Sequence, residues 1–352
     1  MAFTTIDKST GFFNTLLYSG NSSTRSLTGV GFEPSFVWIK ERTSTSDHML
    51  FDQVRGVENY ISSNLANAEQ TSASMLTAFD SDGFSLGSGN DVNDSGQTYV
   101  SWNWKGNGVG SSNGDGSITT TYTSANTTNG VSIIKYTGNG SDGATIGHGL
   151  GVAPTYLIAK KTSGSSESWY VGSSGLTSWD YKLYLDTADA QSTNTPPVFG
   201  GTAPTTTLIT LGGGAYPNPT NASGQTYIMY AFAPITGFSS FGTYIGNGSA
   251  DGPFVYTGFK PAFVLGKNST VGSQHWFMND NKRLGYNGSS AWIKADSNSA
   301  ELTNLVNCDF LSNGFKLRNN NDIYNDSGET FIYMAFAEAP LVGSNDIPAN
   351  AR

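Results

Sequence analysis

Ser95–Lys105 reads SGQTYVSWNWK, Ser223–Ala233 reads SGQTYIMYAFA, and Ser327–Ala337 reads SGETFIYMAFA. Each phrase is a tight turn feeding a strand. In the first, Val100, Trp102 and Trp104 alternate with Tyr99, Ser101 and Asn103, so one face is wholly apolar and the other mixed. Ile228, Tyr230 and Phe232 hold the apolar face in the second phrase, and Ile332, Met334 and Phe336 hold it in the third. That face belongs in a core.

Aligning the three phrases brings the rest of the chain into register. Tyr-x-Gly-Asn opens each unit, at Tyr18, Tyr136 and Tyr244. A proline-centred strand follows, FEPSFVWIK from Phe32, VAPTYLIAK from Val152 and FKPAFVLGK from Phe259, its proline recurring after 120 and then 107 positions. The segments SDHMLFD, SESWYVG and SQHWFMN come next, then turn-like Asn67-Ala68-Glu69, Asp189-Ala190-Gln191 and Ser299-Ala300-Glu301. A period above about 100 residues is the size of a domain rather than of a solenoid repeat. The expected fold is therefore all-β: three tandem antiparallel β-sandwich domains, jelly-roll or concanavalin-like, each with its own core.

The boundaries read as an N-terminal arm over 1–16, repeats over 17–106, 131–234 and 235–340, and a tail over 341–352. The Gly/Ser/Thr-rich stretch 107–130 reads as a linker, flexible unless packed. FDSDGFSL from Phe79 and FLSNGFKL from Phe310 are apolar runs split by Asp-Gly or Asn-Gly, a hairpin signal. The best helix candidate is a turn or two within Val57–Glu69.

Of 352 residues 43 are Gly, and charged residues make up only 13%. The net charge of −9 and the lack of any Lys/Arg cluster argue against a nucleic-acid partner. No apolar run approaches the ~18 residues of a membrane helix, and MAFTTIDKST carries no signal-peptide pattern. Cys308 is the single cysteine, so no internal disulfide forms. His48, His148 and His275 read as surface or strand-end residues, because no converging set of ligands accompanies them.

The clusters containing Asp91 and Asp94, and Asp322 and Asp326, are weak calcium candidates that read first as turn-formers. No repeated pair of acids within strands marks a glycosidase, and no catalytic residue is assigned. Trp169 and Trp276 fall in strand-like runs and are expected in the core. Trp179, Tyr181 and Trp292 stand among small polar residues and are the candidates for stacking on a sugar ring.

The Tyr-x-Gly-Asn opening, GFEPSFVWIK, FDQVRG, FDSDGFSL and SGQTYVSWNWK together resemble a repeat domain of virion structural proteins from tailed, often marine, bacteriophages. The resemblance is closest over Leu17–Lys105, and the second copy departs most. It implies a non-enzymatic virion protein assembled in the host cytoplasm, a tail fibre or surface appendage touching host surface polysaccharide. The alternative it implies is a decoration or connector piece that binds only other virion proteins, and a polysaccharide depolymerase comes third. A homotrimer and no membrane insertion belong to the same expectation.

Overall fold

The structure, a computed structural model, describes residues 4–213, 219–283, 287 and 290–342. It is almost entirely β, built from antiparallel sheets. Each module has a main sheet with the same order of four strands. An opening strand (Phe13–Ser19, Val131–Thr137 or Ser239–Ile245) pairs with a closing strand (Thr98–Trp104, Thr226–Phe232 or Thr330–Pro340). The closing strand pairs with the proline strand (Phe36–Glu41, Tyr156–Lys161 or Phe259–Asn268). The fourth strand (Met49–Asp52, Tyr170–Ser173 or Phe277–Asp280) completes the set.

A smaller sheet lies against each main sheet. In the first and third modules it is three-stranded, with hairpins at Asp80↔Gly83 and Leu311↔Gly314 where the Asp-Gly and Asn-Gly signals stand. The second module, which lacks that signal, has among the described residues a two-stranded sheet, Thr145–Gly147 paired with Leu208–Thr210.

The repeated Tyr-x-Gly-Asn is a structural knot. Tyr18, Tyr136 and Tyr244 each donate their hydroxyl to a backbone carbonyl, of Val92, Thr220 and Tyr324, at 2.7–2.8 Å. The Asn of the motif donates its backbone N–H to the carboxamide oxygen of Asn93, Asn221 or Asn325. Those three side chains are buried and donate onward to the carbonyls of Ser23, Ser141 and Ser249. The glycine between is obligatory by contact: a Cβ would sit 2.0 Å from the Asp94 oxygen, 2.4 Å from that of Ala222 and 2.0 Å from that of Asp326.

The core departs from the expectation of separate beads. In the first two modules the predicted apolar face, Val100, Trp102 and Trp104 or Ile228, Tyr230 and Phe232, clusters apart from the small sheet of its own module. It enters one cluster that contains Phe36, Tyr156, Ile158, Tyr230, Phe232, Phe263 and Phe336, and so draws on all three modules. Phe36 stacks on Tyr230 at 4.4 Å, Phe13 on Phe336 at 5.2 Å, and Trp102 tilts against Phe263 at 5.7 Å. The mixed face packs inward on the small sheet: Tyr99 joins Val37, Ile39, Leu27 and Phe84. Each main sheet is thus covered on both faces, which is why FVWI, ahead of Lys40, is apolar on both.

Three further expectations differ. Val57–Glu69 forms no helix; it contains the short strand Asn59–Tyr60, and the α-helical turns among the described residues are Asn90–Asn93 and Asp322–Asn325, inside the Asn/Asp clusters. There the side chain of Asn321 caps its turn by accepting from Ile323 N–H at 2.9 Å. Within 107–130, Tyr122–Asn126 is a strand on the second main sheet, and Asn126 and Asn129 donate to the carbonyls of Gly106 and Lys105. Pro34 and Pro154 lie just before their strands rather than at their centres, whereas Pro261 lies within its strand, at a register shift.

Because the modules share a core, thermal unfolding of the whole chain should give one cooperative transition. A module excised as 17–106 would expose Phe36, Trp38, Trp102 and Trp104 to water and should lack a cooperative melt. Calorimetry of both proteins checks this; a native-like melt of the fragment would restore three independent units.

Candidate functional site

The titratable residues of the interior converge where one module meets the next, and the contacts are cyclic. Glu69 N–H donates to the Thr162 carbonyl at 3.1 Å, Gln191 N–H to Ser269 at 2.8 Å, and Glu301 N–H to Arg42 at 2.9 Å. These are the equivalent residues of the three turn-like elements, bonded two residues beyond the equivalent lysines. First touches second, second touches third, and third touches first. The ring closes.

A second cyclic set repeats the pattern. Trp169 Nε1 donates to the Ser62 carbonyl and Trp276 Nε1 to Tyr184, each at 2.8 Å. His48 takes the corresponding place toward the Lys294 carbonyl, at 2.9 Å. Trp38 Nε1–H donates to His48 Nδ1 at 2.8 Å, so the ring proton resides on Nε2. Burial, with Lys40 nearby, holds that imidazole well below its usual range and keeps it neutral. His48 and His148 are therefore fully buried rather than on the surface, while His275, partly exposed, pairs with Asp296 at 2.8 Å.

The third set is ionic. Asp52 receives Arg55 Nε at 2.5 Å and, from the second module, the Tyr230 hydroxyl at 2.7 Å. Asp280 receives Arg283 Nε at 2.6 Å and, from the first module, Trp102 Nε1 at 2.9 Å. Arg55 reaches on to Glu69, and Arg283 to Glu301, both at 3.3 Å, and Glu301 also holds Arg42 at 2.8 Å. Burial would raise the Asp280 carboxyl, but the Arg283 guanidinium and the hydrogen bonds around it outweigh that and hold it low. In the second module the equivalent positions are Ser173 and Leu176, and the residue equivalent to Trp102 and Tyr230 in the third is Met334. Ion pair and reaching donor are lost together, as expected of an interface contact.

Lys40, Lys160 and Lys267 are the next-to-last residues of the proline strands, and all are buried. Lys160 Nζ donates to the Ala66 carbonyl at 2.7 Å and Lys267 Nζ to Ala188 at 3.3 Å, each in the preceding module. Burial pushes each ammonium down to about 8, against partial support from nearby carboxylates.

The residues singled out for binding fall elsewhere. Trp292 is 3% exposed, its ring edge-on to Tyr324 at 5.6 Å in the shared core, so the expectation of an exposed ring is corrected. Trp179 is half-buried and edge-on to Phe199, and Tyr181 is half-buried against the shared core. Asp91 and Asp94 accept from the Ser46 and Ser22 hydroxyls at 3.1 and 3.3 Å, beside the helical turn Asn90–Asn93. Asp322 and Asp326 begin and follow the turn of the third module. Among the described residues no three His, Cys, Asp or Glu stand together as a metal site. Cys308 is buried, and burial raises its thiol.

What the surface does present is an aromatic pair that residue-by-residue reading passed over. Phe254 and Tyr256 are 44% and 58% exposed, on either side of buried Val255 in the outer strand of the third small sheet. The equivalent positions are Ser26 and Thr28 in the first module and Thr145 and Gly147 in the second. Comparing the three copies column by column would have shown it. An open apolar depression of about 380 Å³ lies between Val57, Phe79 and Val109 in the first module.

A family model described as Domain of unknown function (DUF7483) matches residues 8–340. The chain belongs to this family. The DUF7483 match spans all three modules, the same extent over which the cyclic contacts run. No curated protein and no solved structure matches the chain.

Two outcomes follow from the buried charges. Asp280→Ala deprives buried Arg283 of its nearer carboxylate and Trp102 Nε1 of its acceptor and should cost about 3–5 kcal/mol, seen as a lowered denaturant midpoint. Between pH 8 and the ordinary lysine value the unfolded chain binds more protons than the folded one, so stability should rise with pH from about 8 toward 9.5. Lys160→Met should flatten that rise in urea titrations; an unchanged slope would mean that the ammonium reaches water.

Proposed function

We propose that this chain is a non-enzymatic structural protein of a tailed-phage virion, acting as a connector or decoration piece between other virion proteins. The resemblance of its repeated motifs supports the setting. The observation that carries the role is the cyclic closure of three homologous modules in one chain. Such a body presents three like faces about one axis, the geometry that matches a neighbour of three-fold symmetry. Its strongest chemistry, the Asp–Arg pairs and the aromatic stacks, is spent on holding those faces at fixed angles.

On this reading one chain supplies the three-fold body that a homotrimer would otherwise build. Light scattering should then give 37.3 kDa for the purified protein; three times that mass would restore the homotrimer. The particle is assembled in the host cytoplasm, with other virion proteins as partners.

A second reading, a tail fibre or appendage touching host surface polysaccharide, draws support from the exposed rings of Phe254 and Tyr256, since aromatic faces stack on sugars. Gold-labelled antibody against the protein should decorate intact particles, and the purified protein should bind dissociated virion proteins rather than host cells. Binding to host cells with none to virion proteins would reverse the order of the two readings, and unlabelled particles would remove both.

A further inference from the structure

We infer that the outer edge of strand Phe254–Tyr256 accepts an extended segment of another protein, running parallel to it as an added strand. The strand bonds the body through alternate residues only. Pro253 accepts from Leu317 N–H at 3.1 Å, Val255 pairs with Phe315, and Thr257 donates to Asn313 at 3.0 Å. The backbone N–H and C=O groups of Phe254 and Tyr256 consequently point away from the sheet, and no described residue bonds them. An open edge of this kind is a template for a further strand.

The second module shows what covers this edge. There the equivalent strand is Thr145–Gly147, and the chain's own segment Ser117-Ile118 runs parallel to it. Ile118 N–H donates to the Thr145 carbonyl at 2.9 Å, and Thr145 N–H donates to Ser117 Oγ at 2.8 Å. Ile118 itself is 7% exposed, packed in that module's core. In the first module no described residue pairs with the edge, which carries polar Ser26 and Thr28. In the third none does either, and the edge carries two aromatic rings. The occupant that fits is therefore a polypeptide segment with a hydroxyl residue followed by a β-branched apolar one, its backbone on the edge and its flanks against the rings. This deepens the connector reading by placing a partner contact.

The probe is a fluorescein-labelled peptide of residues 114–121, GDGSITTT, titrated into the full chain. Saturable binding with one site per chain is expected. Tyr256→Pro removes an outward N–H and no ladder bond, and should weaken binding at least tenfold. The double change Phe254→Ser, Tyr256→Thr copies the first module and should do the same, with the melting temperature of both variants close to that of the parent. Should Tyr256→Pro fail to fold, the double variant decides. Absent binding, or binding that neither variant weakens, overturns the inference. So does a host glycan bound at this patch in place of the peptide, or a dimer of this chain that the variants dissolve. Particle labelling tests the connector reading separately, so loss of either leaves the other standing.

Discussion

The structure depends on one constraint: every main sheet has one apolar and one mixed face, both buried, and must be covered twice. The small sheet of the same module covers one face. The other carries Trp102 and Trp104, Tyr230 and Phe232, or Met334 and Phe336, and nothing within a module is left to cover it. Burying one such aromatic side chain contributes on the order of 2–3 kcal/mol, so leaving a whole row exposed would exceed the margin by which a domain is stable. Three modules solve this together by turning those faces toward a common axis.

That solution dictates the chemistry at the seams. Where sheets meet at an angle, the edges of the shared core contain backbone carbonyls and strand ends that burial would otherwise leave unpaired. Trp169, Trp276 and His48 satisfy three such carbonyls, and the buried lysines satisfy others. A lysine with its ammonium pushed down to about 8 is a costly donor, but it has the reach to cross from one module to the next and three protons to donate. The Asp–Arg pairs act in the same places, and their loss from the second module coincides with Met334 standing where the other two modules carry the donors Trp102 and Tyr230.

Much of the fold was legible from residues alone, for a physical reason. Strand period, hairpin Asp-Gly and the repeated Tyr-x-Gly-Asn are local signals, and each appears where expected. What lay beyond reach was which surface the apolar face of SWNWK would meet, since period 2 marks a face as buried without naming its cover. The same limit misplaced Trp292: Ser, Gly and Ala around an indole suggest exposure, yet small neighbours also let a large ring sink into a shared core. His48 was read as peripheral because its partners, Trp38 and Lys294, belong to a strand and a module that only tertiary closure brings together. The Phe254–Tyr256 pair was visible as letters and invisible as a site, because its meaning is comparative.

Repetition within one chain is what makes that comparison physical rather than statistical. Three copies of one strand stand in the same sheet position, under the same packing demand on their central residue, Leu27, Ile146 or Val255, each at most 5% exposed. With the inward residue fixed by the core, the outward pair is free to follow whatever lies outside. Polar residues suit water, small residues suit the chain's own covering segment, and aromatic residues suit neither. A ring closed by its shared core can tolerate this divergence, because the edge strands supply none of the cyclic contacts described between modules. Stability is thus concentrated at the centre and variation at the rim, so a single rim strand can change partner without any adjustment among the three sheets that hold the body together.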